Sequence, residues 1–238
     1  MVQLSDILTI EDIEIERSAR DLISWWEHKN NQISDDDDLR KVARLKQGLA
    51  KEFYEEIYPL SLLAAKKFTE NPRARFRPVI GNQRFDAVIR DICCGTSTEI
   101  LIEFTSAIDG YTDSLRMEYM NEHGHVPATG HVQVAGTKKT GRNLDITLSA
   151  VCRDDEVSKT LDWIGKAAEK KLNKPYEPNT WIVVVFDDHI GFSQEDSRER
   201  VLHYVANDIV PLKWKTEKLV VLGTSGRTFF EFNTRLRN

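Results

Sequence analysis

Apolar residues recur at helical spacing along the first part of the chain and at strand spacing after it. Between Thr9 and Lys29, the residues Ile10, Ile13, Leu22, Trp25 and Trp26 roughly follow a helical period, which predicts an amphipathic helix ended by Asn30-Asn31. A second, long helix is predicted from the acidic run Asp35–Asp38, where Ser34 or an early Asp caps the helix start and its negative charge suits the dipole. Leu39, Val42, Leu45, Leu49, Phe53 and Ile57 carry its apolar stripe, Pro59 ends or kinks it, and helix resumes to Phe68. From Arg73 the period becomes two. Strands are expected over Arg73–Pro78, over Gln83–Asp91 and over Glu99–Thr105, with turns at Gly81-Asn82 and Gly95-Thr-Ser, so a β-meander follows the long helix.

Further on, Asp113–His123 reads as a short helix, and His131–Ala135 with Leu144–Ala150 as a hairpin around a Gly-flanked basic loop. Asp154–Leu172 has a continuous apolar stripe, acids at its start and lysines at its end, as a helix prefers. Trp181–Phe186 is an unbroken apolar run, the pattern of a strand covered on both faces. A helix over Glu195–Asp208 and two closing strands, Leu219–Leu222 and Thr228–Phe232, complete the pattern. The fold class is therefore α/β, a mixed central sheet flanked by helices. No Pro/Gly/Ser-rich linker divides it, and the reading is an N-terminal helical extension, 1–38, followed by one α/β domain, 39–238.

Composition narrows the picture. A chain of 238 residues buries a core without staples, and 40% hydrophobic with 30% charged residues is a globular balance. A net charge of −5 excludes a uniformly basic nucleic-acid coat but leaves room for a local basic groove. No apolar run is long enough to span a membrane and no secretory signal is visible, so no membrane association is expected. Three cysteines without CxxC spacing suit a reducing compartment, and a cytoplasmic location is expected.

Two carboxylates sit on the meander strands. Asp86 lies mid-strand in Arg84-Phe-Asp-Ala-Val88, and Glu103 follows 17 residues later in Ile102-Glu-Phe-Thr105. If these strands pair as a hairpin, the two acids converge at one sheet edge, the arrangement a hard divalent cation needs. The alternative partners for Asp86 are the same-face arginines Arg84 and Arg90. This arrangement resembles the PD-(D/E)xK nuclease superfamily over about Leu39 to Asp187, with Asp86 as the motif's first acid and Glu103 as its second.

The resemblance implies a restriction-endonuclease-like α-β-β-β-α-β core. It also implies a hydrolase acting on phosphodiester bonds of DNA with Mg²⁺, or Mn²⁺, by an activated water. It adds a helical glutamate to the metal site, and Glu52 and Glu56 are the candidates. Thr105 stands where the motif has its lysine, and no proline precedes Asp86. Lys159 of the Asp154 helix is the first candidate to replace that lysine. The loop residues Lys138, Lys139 and Arg142 are candidates to grip a phosphate backbone. Cutting both strands of a duplex implies a homodimer or larger assembly. The alternative is that Thr105 marks a degenerate site, in a catalytically inactive nuclease-fold subunit that binds nucleic acid or a protein partner.

Other schemes find less support. Glu122-His-Gly-His125 with His131 lacks zinc-site spacing, and neither GxSxG nor GxxxxGK[ST] is present. Gly223-Thr-Ser-Gly226 looks like a phosphate turn, but a strand follows it, which favours a hairpin turn.

Overall fold

The computed structural model describes residues 3–93, 96–127, 130–137 and 141–234. Two short helices, α1 (Leu4–Ile7) and α2 (Ile10–Ile13), lead into a two-residue strand β1 (Arg17–Ser18) and a long helix α3 (Ala19–Ser34). The single helix expected over Thr9–Lys29 is thus divided at Glu14–Ser18. Ser18 Oγ accepts the amide of Asp21 and starts a new helix there. The Asn30-Asn31 pair does not stop α3, because Asn30 Oδ1 is held by the Tyr54 hydroxyl at 3.0 Å.

The expected long helix is also broken. Asp36 caps α4 (Asp37–Arg44) through the amides of Asp38 and Leu39. Lys46 and Gly48 then take left-handed backbone at φ 51° and 55°, which ends it. Helix α5 (Ala50–Glu52) passes through a π-helical turn, Phe53–Ile57, into α6 (Tyr58–Lys67). Pro59 lies in the first turn of α6, where its missing amide is tolerated.

Strands β2 (Arg75–Pro78), β3 (Ala87–Cys93) and β4 (Thr96–Ser106) form the antiparallel meander. Helix α7 (Gly110–His123) and a separate ribbon, β5 (Gly130–Thr137) with β6 (Gly141–Leu148), precede the 20-residue helix α8 (Arg153–Leu172). Strand β7 (Thr180–Phe186) then pairs parallel to β4. Helix α9 (Glu195–Tyr204), a π-helical turn Val205–Ile209, and strands β8 (Lys218–Gly223) and β9 (Phe229–Asn233) close the chain.

The result is a seven-stranded mixed sheet in the order β1-β2-β3-β4-β7-β8-β9, with helices on both faces. One core joins α1–α6 to the sheet, with Phe53, Leu60, Phe76, Ile102 and Val183 buried in it. The N-terminal segment therefore contributes both an edge strand and core residues. The second core packs α8 and α9 on the opposite face, through Val157, Ile164, Val201, Ile182 and Val184. All seven residues of β7 are buried, as its unbroken apolar run predicts. Among the described residues, no helix is long and apolar enough to cross a membrane.

Candidate active site

The register of the meander decides where the acids stand. Ala87 pairs with Ile102, and the Asp86 amide donates to the Ile102 carbonyl at 2.7 Å. Asp86 stands immediately before β3, and this bond to the carbonyl preceding Glu103 brings the two acids close enough to act on each other. Asp86 Oδ2 accepts the Phe104 amide at 2.7 Å, which ties it to the strand carrying Glu103. The arginines that offered Asp86 an ordinary salt bridge are engaged elsewhere. Arg84 donates to the Pro175 carbonyl, and Arg90 pairs with Glu16 and Glu99.

Ile100, Ile102 and Phe104 alternate into the first core, so Glu103 faces the α8 side of the sheet. It is only 7% exposed. Its Oε1 accepts Lys171 Nζ at 2.5 Å and the Tyr176 hydroxyl at 3.1 Å, with Lys174 Nζ at 3.8 Å. Lys171 is in the last turn of α8, and Tyr176 lies in the loop after it. Burial, then the neighbouring Glu103, pushes the Tyr176 hydroxyl far up, so it stays a donor.

The π-helical turn brings further acids. Burial pushes Asp86 up to about 6, helped by Glu103 and opposed by the Phe104 amide, Lys171 and Lys51. Burial likewise pushes Glu56 up to about 8, with Asp86 and Glu52 adding to it. Glu56 and Asp86 thus repel each other across the site. Glu52 Oε2 is buried with no hydrogen-bond partner. Asp86 is the link between two sets of acids: Glu56, with Glu52 beside it, feels Asp86 from the helical side, and Glu103, held by Lys171, acts on Asp86 from the strand pair.

Such a donor set is made of oxygens alone, which suits Mg²⁺ or Mn²⁺ rather than a soft metal. The burial and mutual repulsion that raise Glu56 and Asp86, and the orphaned Glu52 oxygen, are what a cation would relieve. Among the described residues, no three His, Cys, Asp or Glu side chains form a ready-made metal cage. Mg²⁺ does not need one, because it takes one or two carboxylates, several waters and substrate phosphate oxygens.

Lys159, the expected replacement for the motif lysine, is not brought to the acids. Its Nζ lies 3.9 Å from Glu156 Oε1 and 4.8 Å from the Trp163 ring centroid. At about 1.5 Å per residue, it stands roughly 18 Å along α8 from Lys171. It lines a cleft of about 460 Å³ with Asp109, Asp113 and Asp187 at the carboxyl ends of β4 and β7. Thr105 shares the Glu103 face and supplies no ammonium there.

Lys138 and Lys139 lie outside the described residues, and Arg142 is described in its backbone alone. His123 packs its ring on Tyr119 at 4.1 Å, and His125 Nδ1 lies 3.1 Å from the His123 carbonyl. Gly223–Gly226 is the hairpin turn between β8 and β9, with Asp188 Oδ1 accepting the Ser225 amide and Oδ2 the Thr228 amide.

Sequence reasoning missed Lys171 and Tyr176. Lys171 is one of the lysines that crowd the end of α8, twelve residues beyond Lys159, and nothing in the local pattern singles it out. Tyr176 sits in a loop after Pro175, where no periodicity marks it. Comparisons with protein-family models, with curated proteins and with solved structures find no match.

Proposed function

We propose that the chain is a metal-dependent nuclease that cleaves DNA phosphodiester bonds with an activated water. The observation that carries this reading is the meeting of acids at the β3–β4 pair, with Asp86 tied to the Phe104 amide beside Glu103 and Lys171 within hydrogen-bond reach of Glu103. The element order supports it once α7 and the β5–β6 ribbon are taken as an insertion after the third strand: helix, three antiparallel strands, helix, then a strand parallel to the third. That is the order expected of the restriction-endonuclease-like core.

Asp86 and Glu103 would hold Mg²⁺, with Glu52 or Glu56 as a further oxygen donor. A divalent cation there supplies charge on the scissile phosphate and a water acidic enough to attack near neutral pH. The chain's own groups do the rest. Near neutral pH Asp86 is ionised while Glu56 keeps its proton, which limits repulsion among the acids. Glu56 is then a proton source when positive charge enters. Lys171 Nζ holds Glu103 in one orientation and adds a positive charge where the motif lysine is missing. The Tyr176 hydroxyl fixes the same oxygen.

A second reading, a nuclease-fold subunit that binds without cutting, is favoured by a different aspect of the same contacts. Glu103 Oε1 already has two donors, and Thr105 offers no ammonium. Cleavage of plasmid and single-stranded DNA with Mg²⁺ or Mn²⁺ separates the two. Cutting by the wild type that is lost in both Asp86→Ala and Glu103→Ala supports the nuclease. A well-folded wild type that cuts nothing under these conditions supports the binding subunit. Cutting that survives both substitutions defeats the assignment of these residues.

A further inference from the structure

The β5–β6 ribbon stands outside the main sheet, and its two faces differ in chemistry. Gln133 pairs with Asp145, Ala135 with Asn143, and His131 with Thr147. Opposed residues share a face, so Gln133, Asn143, Asp145 and Thr147 stand together on one side. All four are exposed. The other side carries Val132, Val134, Leu144 and Ile146. Ile146 is buried and Val132 lines the cleft beside α7, so this side turns toward the body of the protein there, while Val134 and Leu148 on the same side are exposed. The polar side is left facing outward.

That outward side is set with amide and hydroxyl groups and the Asp145 carboxylate, side chains that read base edges. Gln133 and Asn143 are diagonal neighbours across the ribbon, roughly 7–8 Å apart. That spacing is about two base-pair steps. Each strand is eight residues long, or about 27 Å at 3.4 Å per residue. The B-form major groove admits a two-stranded ribbon of this kind, whereas the major groove of duplex RNA is too deep and narrow to be read. The charge agrees with a phosphate-rich partner. In a chain of net charge −5, the stretch 130–148 holds Lys138, Lys139 and Arg142 against the single acid Asp145.

We infer that this ribbon enters the major groove of B-form duplex DNA, with Gln133 and Asn143 contacting base edges. The inference rests on nucleic acid being the substrate and makes the substrate class duplex DNA. It does not depend on the acidic group.

The test is binding by the full-length chain without metal, read by fluorescence anisotropy on duplex DNA, duplex RNA and single-stranded DNA. A selection from a random duplex pool is run beside it. Duplex DNA is expected to bind roughly tenfold or more tightly than duplex RNA, and the selection to enrich an adenine-containing motif. The double variant Gln133→Ala/Asn143→Ala, altered only at exposed positions, is expected to keep the wild-type melting temperature and lose the motif. Lys138→Ala/Lys139→Ala is expected to weaken all duplexes alike and to reduce the salt slope by about two.

A wild type that prefers single strands or duplex RNA overturns the inference. So does a double variant that still selects the same motif. The outcome is separable from cleavage. Cutting by a chain whose duplex binding ignores the ribbon removes this inference and leaves the nuclease. Ribbon-dependent duplex binding without cutting removes the nuclease and leaves the ribbon.

Discussion

Lys171 Nζ lies 2.5 Å from Glu103 Oε1, and both side chains are nearly closed to solvent at 12% and 10% exposure. In so buried a pair, losing one partner leaves the other charge stranded. Lys171→Met is therefore expected to destabilise the fold by about 3–5 kcal/mol. Lys171→Met/Glu103→Gln should recover most of that loss, because no lone charge remains. Chemical denaturation of the four members of the cycle checks this. A double variant whose loss equals the sum of the two single losses would show that the pair is not coupled.

Asp86 is expected to matter more to chemistry than to folding. Its charge is resisted by burial and by Glu103. Asp86→Asn removes that strain and is expected to raise the melting temperature while lowering metal-dependent cleavage by roughly a hundredfold or more. Thermal melts and plasmid nicking on the same preparations measure both effects.

The two raised acids predict the direction of the pH dependence. Asp86 and Glu56 hold their protons in the folded chain up to about 6 and 8, while the unfolded chain releases them near 3.8 and 4.5. Between those limits the folded state binds more protons, so stability falls as pH rises. The contribution is fully present below the unfolded values and is lost as pH rises through 6 and then 8. Melting temperature should drop by several degrees over that range, and Glu56→Gln should flatten the upper part of the curve. Added Mg²⁺ should raise the melting temperature more at the alkaline end, because the cation displaces those protons.

Gly223 and Asp188 predict a packing defect far from the acids. A Cβ on Gly223 would overlap the Asp188 carboxylate, which is 1% exposed and holds the amides of Ser225 and Thr228. Gly223→Ala is expected to cost about 2–3 kcal/mol, from overpacking and disturbed hydrogen bonds. A urea melt with unchanged slope and a lower midpoint would bear this out.

Phe53 predicts the largest loss from the N-terminal half. It is fully buried, with the Trp25, Trp26 and Tyr54 rings at 6.0, 5.7 and 5.0 Å. Phe53→Ala should destabilise by about 3–5 kcal/mol. Near-ultraviolet circular dichroism should show the two tryptophans losing their fixed surroundings.

What could be read in the sequence was what periodicity writes. The alternation of Phe85, Ala87 and Ile89 against that of Ile100, Ile102 and Phe104 announced the meander, and the acid pair came with it. The apolar run at Trp181–Phe186 announced a buried strand for the same reason. What could not be read was written in backbone exceptions and long-range reach. The left-handed turn at Lys46 and Gly48 breaks a stripe that still looks continuous on paper. Ser18 restarts a helix inside another apparent stripe. Lys171 reaches Glu103 across 68 positions of sequence, a contact that no local pattern records.

The π-helical turn at Phe53–Ile57 carries a consequence for how this protein can vary. Such a turn accommodates one residue more than an α-helical turn, and Glu52 lies just before it while Glu56 lies within it. Deleting one residue there would leave a smoother helix, better by every local criterion. It would also swing Glu52 about 100° relative to Glu56 and break up the acidic group. Insertions and deletions in this segment are therefore constrained by the neighbourhood of Asp86, and the irregular turn is the form in which both acids can be kept.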